Sequence, residues 1–185
     1  KALSIKSDYA EGHYNMGNAL KENGNANEAI KAYKKAISIK SDYAQAYNNM
    51  GTVLYEHDKQ PEAIEAFKKA LSVKPDYAEV YNNMGNVLKD QGKLSQSIEE
   101  YKKAISIDFN FAEAHNNLGT VFREQNRWEK AREAFKIALE IRPKYAEAYN
   151  NLGNTLKDQG KLDWAVEAFK KALEIRPKYA EAYNN

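Results

Sequence analysis

Apolar and polar residues follow one another along this chain with the spacing of helices. In residues 146–158, Tyr149, Leu152, Gly153 and Leu156 lie three or four residues apart, and most of the residues between them are polar. This spacing collects the apolar residues on one side of a helix and leaves the other side polar. A second amphipathic helix is predicted directly downstream, so the segment is interpreted as a helix pair.

The helix pair recurs along the whole chain with a period of 34 residues. Numbering Ala10 as repeat position 1 gives complete repeats at residues 10–43, 44–77, 78–111, 112–145 and 146–179. Residues 1–9 match positions 26–34 of a preceding repeat, and residues 180–185 match positions 1–6 of a further one. One pair cannot bury its own apolar side, so neighbouring pairs are expected to stack with a shared core. We predict an all-α solenoid that forms a single array.

Local signals predict where the helices begin and end. Four first helices are expected to start after a capping box, in which Asp or Asn precedes Glu or Gln by three residues; these caps are Asp8, Asp42, Asp76 and Asn110. Lys144 and Lys178 replace the cap at the last two junctions, where weaker helix starts are expected. Position 15 holds residues that tolerate a left-handed C-terminal conformation, namely Gly24, Asp58, Gly92, Asn126 and Gly160. The second helices are expected to open near Pro61, Ser95 and Asp163.

Glycine recurs at position 8, inside the first helix, at Gly17, Gly51, Gly85, Gly119 and Gly153. Glycine there costs about 1 kcal/mol relative to alanine. We expect a close approach of the second helix to compensate, through the small residues of position 20, which are Ala29, Ala63, Ser97, Ala131 and Ala165.

The recurring residues form a signature, which the fifth repeat shows at Tyr149, Leu152, Gly153, Leu156, Ala165, Phe169, Ala172 and Pro177. This signature resembles the tetratricopeptide repeat. The resemblance implies a right-handed superhelix of antiparallel helix pairs, with the first helices lining a concave groove. It also implies a protein-interaction scaffold.

Asparagines dominate the polar side of the first helices, which we call the groove face (positions 2, 5, 6, 9, 12 and 13). Position 6 is asparagine throughout, at Asn15, Asn49, Asn83, Asn117 and Asn151. An amide both donates and accepts hydrogen bonds, so this asparagine ladder is predicted to bind the backbone of an extended peptide. The ladder is similar to that of the superhelical repeat domain of protein O-GlcNAc transferases. The other predicted contacts are Asn48, Asn82, Asn116, Asn150, Asn18, Asn86, Asn154, Lys21, Lys89, Arg123 and Lys157.

Charge refines the predicted ligand. The chain carries a net charge of only +2, yet acids outnumber bases on the groove face. The acids are Glu11, Glu79, Glu113, Glu147, Glu22, Glu56, Asp90, Glu124 and Asp158. We therefore predict a neutral or basic peptide ligand. Lysine pairs on the second helices alternate with acids, and no apolar run approaches the length of a membrane span, so neither nucleic acid nor membrane is a predicted partner.

No catalytic chemistry is predicted. The chain has no cysteine, and His13, His57 and His115 do not share metal-binding spacing, so no metal, cofactor or nucleophile is expected. The two tryptophans are expected to differ, with Trp128 packed between helices and Trp164 exposed at position 19. The absence of cysteine and of a leader fits a cytoplasmic protein.

Two other functions stay open. The array is interpreted alternatively as the substrate-recognition arm of a larger enzyme, such as a glycosyltransferase, or as a structural array. Because the repeats at both ends are incomplete and lack polar caps, head-to-tail self-association is the expected mode of assembly for the structural array.

Overall fold

A computed structural model describes residues 2–178 of the chain, with side chains described from Tyr9 onward. Within this range all regular structure is helical, which confirms the predicted all-α solenoid of helix pairs. The helices are α1 Ala2–Glu22, α2 Ala26–Ile39, α3 Ala44–Glu56, α4 Gln60–Val73, α5 Ala78–Asp90, α6 Leu94–Ile107, α7 Ala112–Glu124, α8 Trp128–Ile141, α9 Ala146–Asp158 and α10 Leu162–Ile175.

The chain divides into two compact units, Lys1–Val87 and Leu88–Asn185. In the first unit α1 packs on α2, α3 packs on α4, and α2 joins the two pairs by packing on α3. In the second unit the pairs are α7 with α8 and α9 with α10, and α8 packs on α9. Each unit has its own apolar core, so the pair and its neighbour are the building blocks of both.

An aromatic residue at position 24 lies at the centre of the helix pairs within each unit. Tyr33 and Phe67 in the first unit and Phe135 in the second are fully buried. A Cβ atom added to Gly51 would lie 2.6 Å from Cε1 of Phe67, and one added to Gly119 would lie 2.7 Å from Cε1 of Phe135. The predicted close approach at position 8 is therefore present, but the prediction that position 20 makes it is wrong. The position 20 alanines are buried too, yet the flat ring is what reaches the glycine backbone.

All five predicted helix ends at position 15 are confirmed. Asp58 and Asn126 are the non-glycine residues with positive φ, at 58° and 57°, and the three glycines at this position have φ between 70° and 74°. The amide of Lys59 donates to the carbonyl of Leu54 at 2.9 Å, and the amide of Asp58 donates to that of Tyr55 at 3.1 Å. This pair of bonds is the Schellman motif, which satisfies carbonyls at the helix end.

Two of the predicted capping boxes, those at Asp42 and Asn110, are wrong. The first helices begin at Ala44, Ala112 and Ala146, their N-cap residues are Tyr43, Phe111 and Tyr145, and none of the three makes a side-chain capping hydrogen bond. At Tyr43 and Phe111 the aromatic residue one position after the predicted cap occupies the N-cap site instead. A preceding base covers the ring of each tyrosine, since Lys40 Nζ lies 4.9 Å from the ring centroid of Tyr43 and the guanidinium of Arg142 lies 4.8 Å from that of Tyr145.

The predicted start of the first helix after Asp8 is also wrong. Helix α1 runs without a break from Ala2 to Glu22. Residues 1–9 match positions 26–34 of the repeat, the end of a second helix. Ser7 lies at position 32, where three of the five complete repeats have proline, and serine does not interrupt a helix as proline does.

The glycine contact predicts opposite effects for two alanine substitutions in the first unit. Gly51→Ala forces Cβ against the buried ring of Phe67 and should lower the free energy of unfolding by about 1–3 kcal/mol. Gly12→Ala meets no atom within 4 Å and should raise it by up to about 1 kcal/mol, because alanine favours the helix. Urea unfolding followed by circular dichroism measures both, and equal effects would contradict the role assigned to the ring.

Candidate protein-interaction surface

The adjacent asparagines at positions 5 and 6 of the groove face differ in burial. At position 5 the side chains are buried, with Asn48 0% and Asn116 1% exposed and Asn82 and Asn150 similar. At position 6 they are partly exposed, at Asn49, Asn83, Asn117 and Asn151, and Asn15 is exposed. The sequence placed both positions on the groove face, whereas in the structure only position 6 reaches its surface.

In the first unit, a buried asparagine joins two consecutive repeats. Asn48 of α3 donates through Nδ2 to Oε1 of Glu79 at 2.9 Å and accepts at Oδ1 from Nδ2 of Asn83 at 3.0 Å. A carboxylate oxygen accepts but does not donate, so the amide nitrogen of Asn48 must face Glu79. Glu79 and Asn83 are four residues apart on α5 and therefore lie one turn apart. We call this three-residue arrangement the asparagine clasp.

The second unit contains the same clasp between α7 and α9. Asn116 donates through Nδ2 to Oε1 of Glu147 at 3.4 Å and accepts at Oδ1 from Nδ2 of Asn151 at 3.0 Å. The roles of positions 5, 2 and 6 are thus identical in two separate places. The recurring asparagines consequently have a structural reason, since each clasp ties one repeat to the next.

The first repeat replaces the position 5 asparagine with Tyr14 and uses a variant of the clasp. Asn49 donates through Nδ2 to Oδ1 of Asn18 at 2.9 Å and to the hydroxyl of Tyr14 at 3.1 Å. The same Oδ1 of Asn18 accepts from the hydroxyl of Tyr33 at 2.9 Å. The position 6 asparagine therefore donates to the preceding repeat here as well.

The clasp leaves one defined polar atom on the groove face. In Asn83 and Asn151 the amide nitrogen is engaged, while Oδ1 accepts no hydrogen bond from the described residues. Fixing the nitrogen also fixes the direction of the oxygen. The amides of Asn83 and Asn151 therefore present a pre-oriented acceptor, which suits a peptide N–H.

Ion pairs neutralise part of the charge on the groove face. Arg123 Nε lies 2.7 Å from Asp158 Oδ2, and Lys89 Nζ lies 3.7 Å from Asp90 Oδ1. Glu113 pairs at 2.6 Å with Arg142, which comes from the end of α8. In the first unit the groove face holds four acids and one base, Lys21. These four acids, all of them exposed, are Glu11, Glu22, Glu56 and Glu79. Acidic character thus persists at the surface, as the sequence predicts.

The remaining predicted contact residues lie on the groove face with different exposure. Those at position 9 (Asn18, Asn86 and Asn154) are partly exposed. At position 12, Lys21, Lys89 and Arg123 are partly exposed and Lys157 is exposed. The four asparagines at position 5 are buried and therefore do not form part of this surface. Peptide contact by the others stays a prediction.

The histidines are placed for packing. His115 is buried, with Nε2 2.9 Å from the carbonyl oxygen of Phe109 and its ring edge-on to that side chain. His13 packs edge-on against Tyr9 at 4.7 Å between ring centroids. From Tyr9 to Lys178 no three His, Asp or Glu side chains are placed to hold a metal ion. Over the described residues, no helix is both long and apolar enough to cross a bilayer.

Burial raises the pKa values of two tyrosines that lie next to the clasps. Burial and the neighbouring Tyr14 raise the pKa of Tyr33 from 10.0 to about 12. Burial and the charge of Glu79 raise the pKa of Tyr77 from 10.0 to about 12. In both cases the folded protein favours the neutral phenol more strongly than the unfolded chain does.

These shifts predict a loss of stability at alkaline pH. The contribution of the two tyrosines is complete below pH 10 and is lost as the pH rises to about 12, because the unfolded chain releases protons that the folded protein retains. Tyr33→Phe, which is the residue of position 24 in three other repeats, should make the free energy of unfolding less dependent on pH in this window. Tyr33→Phe combined with Tyr77→Phe should reduce the dependence further. Urea titrations at pH 8 to 12 test this, and an unchanged slope in both variants would contradict it.

The clasp predicts a stability cost that depends on burial rather than on residue type. Asn48→Ala leaves Glu79 and Asn83 without their shared partner and should lower the free energy of unfolding by about 1–3 kcal/mol. Asn15→Ala removes an exposed asparagine and should change it by less than about 0.5 kcal/mol. Urea unfolding of the two variants provides the comparison. Similar losses of unfolding free energy in the two variants would show that the buried clasp contributes no more to stability than an exposed asparagine does.

Models of one repeat family match most of the chain. A model described as tetratricopeptide repeat matches residues 110–178, and one described as TPR repeat matches residues 17–58, 51–92 and 85–123. Together with the paired helices and the 34-residue period, these matches show that the chain belongs to the tetratricopeptide repeat family. Membership in this family supports a protein-interaction scaffold.

Solved structures of other repeat proteins are similar to this chain. MamA is 28% identical with a TM-score of 0.75, and the match covers 89% of this chain and 96% of MamA. YrrB, described as a TPR protein with an unusual peptide-binding site, is 25% identical with a TM-score of 0.71 and coverage of 100% and 95%. PilF of Pseudomonas aeruginosa is 20% identical with a TM-score of 0.86 and coverage of 98% and 82%, which shows the fold alone. A search of curated protein sequences gave no match.

Three predictions are not tested by these comparisons. They are the similarity to protein O-GlcNAc transferases, the role as a recognition arm of a larger enzyme, and head-to-tail self-association. The last involves residues 180–185, which lie outside the described residues.

Proposed function

We propose that this chain is a non-enzymatic scaffold that binds an extended peptide on its groove face. The observation that carries the proposal is the pre-oriented Oδ1 atom of Asn83 and Asn151, each held by a clasp. A backbone N–H is the donor that every residue except proline offers, so an acceptor at one position per repeat favours peptide backbone over particular side chains.

The surroundings of these oxygens support a peptide of neutral or basic character. Glu79 and Glu147 lie one turn before the two asparagines and keep exposed carboxylates near the same surface. A basic peptide would approach this surface favourably, and an acidic one would be repelled. Affinity is expected to fall as the salt concentration rises, since exposed charges are screened.

The backbone contact can be tested with N-methylated peptides. The probe is an acetylated and amidated peptide of alternating Lys and Ala, beside the same peptide with its alanine nitrogens methylated. We expect methylation to weaken binding about fivefold for each lost hydrogen bond of roughly 1 kcal/mol. Isothermal titration calorimetry measures the affinities.

The variant Asn83→Ala/Asn151→Ala completes the cycle. It should bind the unmethylated peptide more weakly and should no longer distinguish the two peptides, because the acceptor is gone. A peptide of alternating Glu and Ala is the charge control and should bind more weakly than the Lys peptide. Tighter binding of the Glu peptide, or an undiminished effect of methylation in the variant, would overturn the proposal.

A further inference from the structure

An apolar cleft lies between the second helices α8 and α10 of the second unit, on the side away from the groove face. Its floor is formed by the half-buried Tyr149 and Leu152 and the buried Leu156 of α9, and its volume is about 590 Å³. This volume lies within the range of small ligand pockets, about 300–1,000 Å³. The cleft is open to solvent, so its apolar floor is accessible.

One wall of this cleft carries an exposed tryptophan. Trp164 of α10 is 65% exposed, as the sequence predicts from its position 19, and it lies beside Ala168 on the cleft-lining side of its helix. A large exposed aromatic side chain next to an apolar floor offers more contact surface than a single exposed apolar residue does.

Bases form the rim of the cleft. The lining includes Arg132, Lys136, Lys161 and Lys171 and a single acid, Glu167. Glu167 is already paired with Lys170 at 2.9 Å. Among the described residues, none forms an ion pair with Arg132, Lys136 or Lys161. The rim therefore presents positive charge that is not neutralised within this part of the chain.

The equivalent cleft of the first unit shows what is special here. It lies between α2 and α4 over Tyr47, Met50 and Leu54 and has a volume of about 850 Å³. At position 19 it has Glu62 in place of Trp164, and at position 21 it has Ile30 in place of Arg132. Its lining has four bases and three acids, Glu28, Glu62 and Glu65. Of these two clefts, the one between α8 and α10 is the one that combines an aromatic wall with a strongly basic rim.

We propose that the cleft between α8 and α10 binds an acidic protein segment that carries one large apolar side chain. The apolar side chain contacts Trp164 and the floor at Leu152, and the flanking carboxylates pair with Arg132, Lys136 and Lys161. Charge complementarity selects this occupant, because a basic or neutral segment of the kind proposed for the groove face gains nothing from the rim. The site is thus a second binding surface with the opposite charge preference, independent of the first.

Three short peptides, acetylated and amidated, test the chemistry. The first is Asp-Glu-Phe-Glu-Asp, the second replaces all its acids with lysine, and the third replaces its phenylalanine with glycine. In a Trp128→Phe protein, Trp164 is the single tryptophan, so its fluorescence reports binding at the cleft. We expect the first peptide to change the emission and to bind at least about tenfold more tightly than either of the others. The lysine peptide is repelled by the basic rim, and the glycine peptide lacks the aromatic anchor. Preference for the lysine peptide, or equal binding of the glycine peptide, would overturn the proposal.

Substitutions between the two equivalent clefts supply matched controls. Trp164→Glu introduces the residue that position 19 has in the first two repeats, so the fold should be retained, and circular dichroism checks this. Calorimetry should show at least about a tenfold loss of affinity for the first peptide in Trp164→Glu, a loss in Arg132→Ile, and no change in Glu62→Gln. The reciprocal Glu62→Trp protein, changed at an exposed position, should gain affinity for the first peptide at the cleft between α2 and α4. Unchanged affinity in Trp164→Glu would refute the site.

Light scattering distinguishes a protein segment from a second copy of this chain. Concentration-dependent association that disappears in Trp164→Glu would mean that another copy occupies the cleft, which would overturn the assignment of a separate acidic partner. A monomer that keeps its affinity for the first peptide supports it. Neither result depends on the Asn83→Ala/Asn151→Ala protein, so failure here is distinguishable from failure of the groove-face proposal.

Discussion

The helix pairs within each unit depend on an aromatic ring that lies directly against the backbone of the facing helix. The ring of Phe67 occupies the space that a side chain at Gly51 would need, and Phe135 does the same at Gly119. Glycine weakens the isolated first helix, but the contact buries a large ring at the centre of the pair. The helix is consequently stable through its tertiary packing rather than through its intrinsic propensity.

The clasp holds neighbouring helix pairs together through hydrogen bonds between polar side chains. Asn48 and Asn116 are buried, and each satisfies its amide through a glutamate and an asparagine of the following repeat. A buried amide without partners would be costly, so the next repeat must stack in the register that supplies them. The same bonds orient the position 6 amides toward the surface. Structural polar groups and the candidate binding atoms therefore belong to one network.

The sequence predicted features that depend on local backbone or on periodicity. The 34-residue period, the helix pairs and the left-handed residues such as Asp58 and Asn126 follow from residue preferences alone. Features that depend on a neighbouring repeat were predicted less well. A helical projection places positions 5 and 6 on the same polar side, and only the next first helix, which covers Asn48 but not all of Asn49, separates them. The N-cap role of Tyr43 likewise depends on packing and on the covering charge of Lys40.

The near-zero net charge of the chain conceals two surfaces of opposite sign. Acids collect on the first helices, around the position 6 asparagines, whereas bases collect beside Trp164 on the second helices. Because every repeat contributes one first and one second helix, any stack of repeats keeps the two surfaces on different sides of each pair. Substituting position 19, which is exposed at Glu62 and Trp164, changes one outer cleft without altering the residues of the position 8 contact or of the clasp. The repeat thus allows a binding site to vary from pair to pair while the interactions that hold the pairs together stay the same.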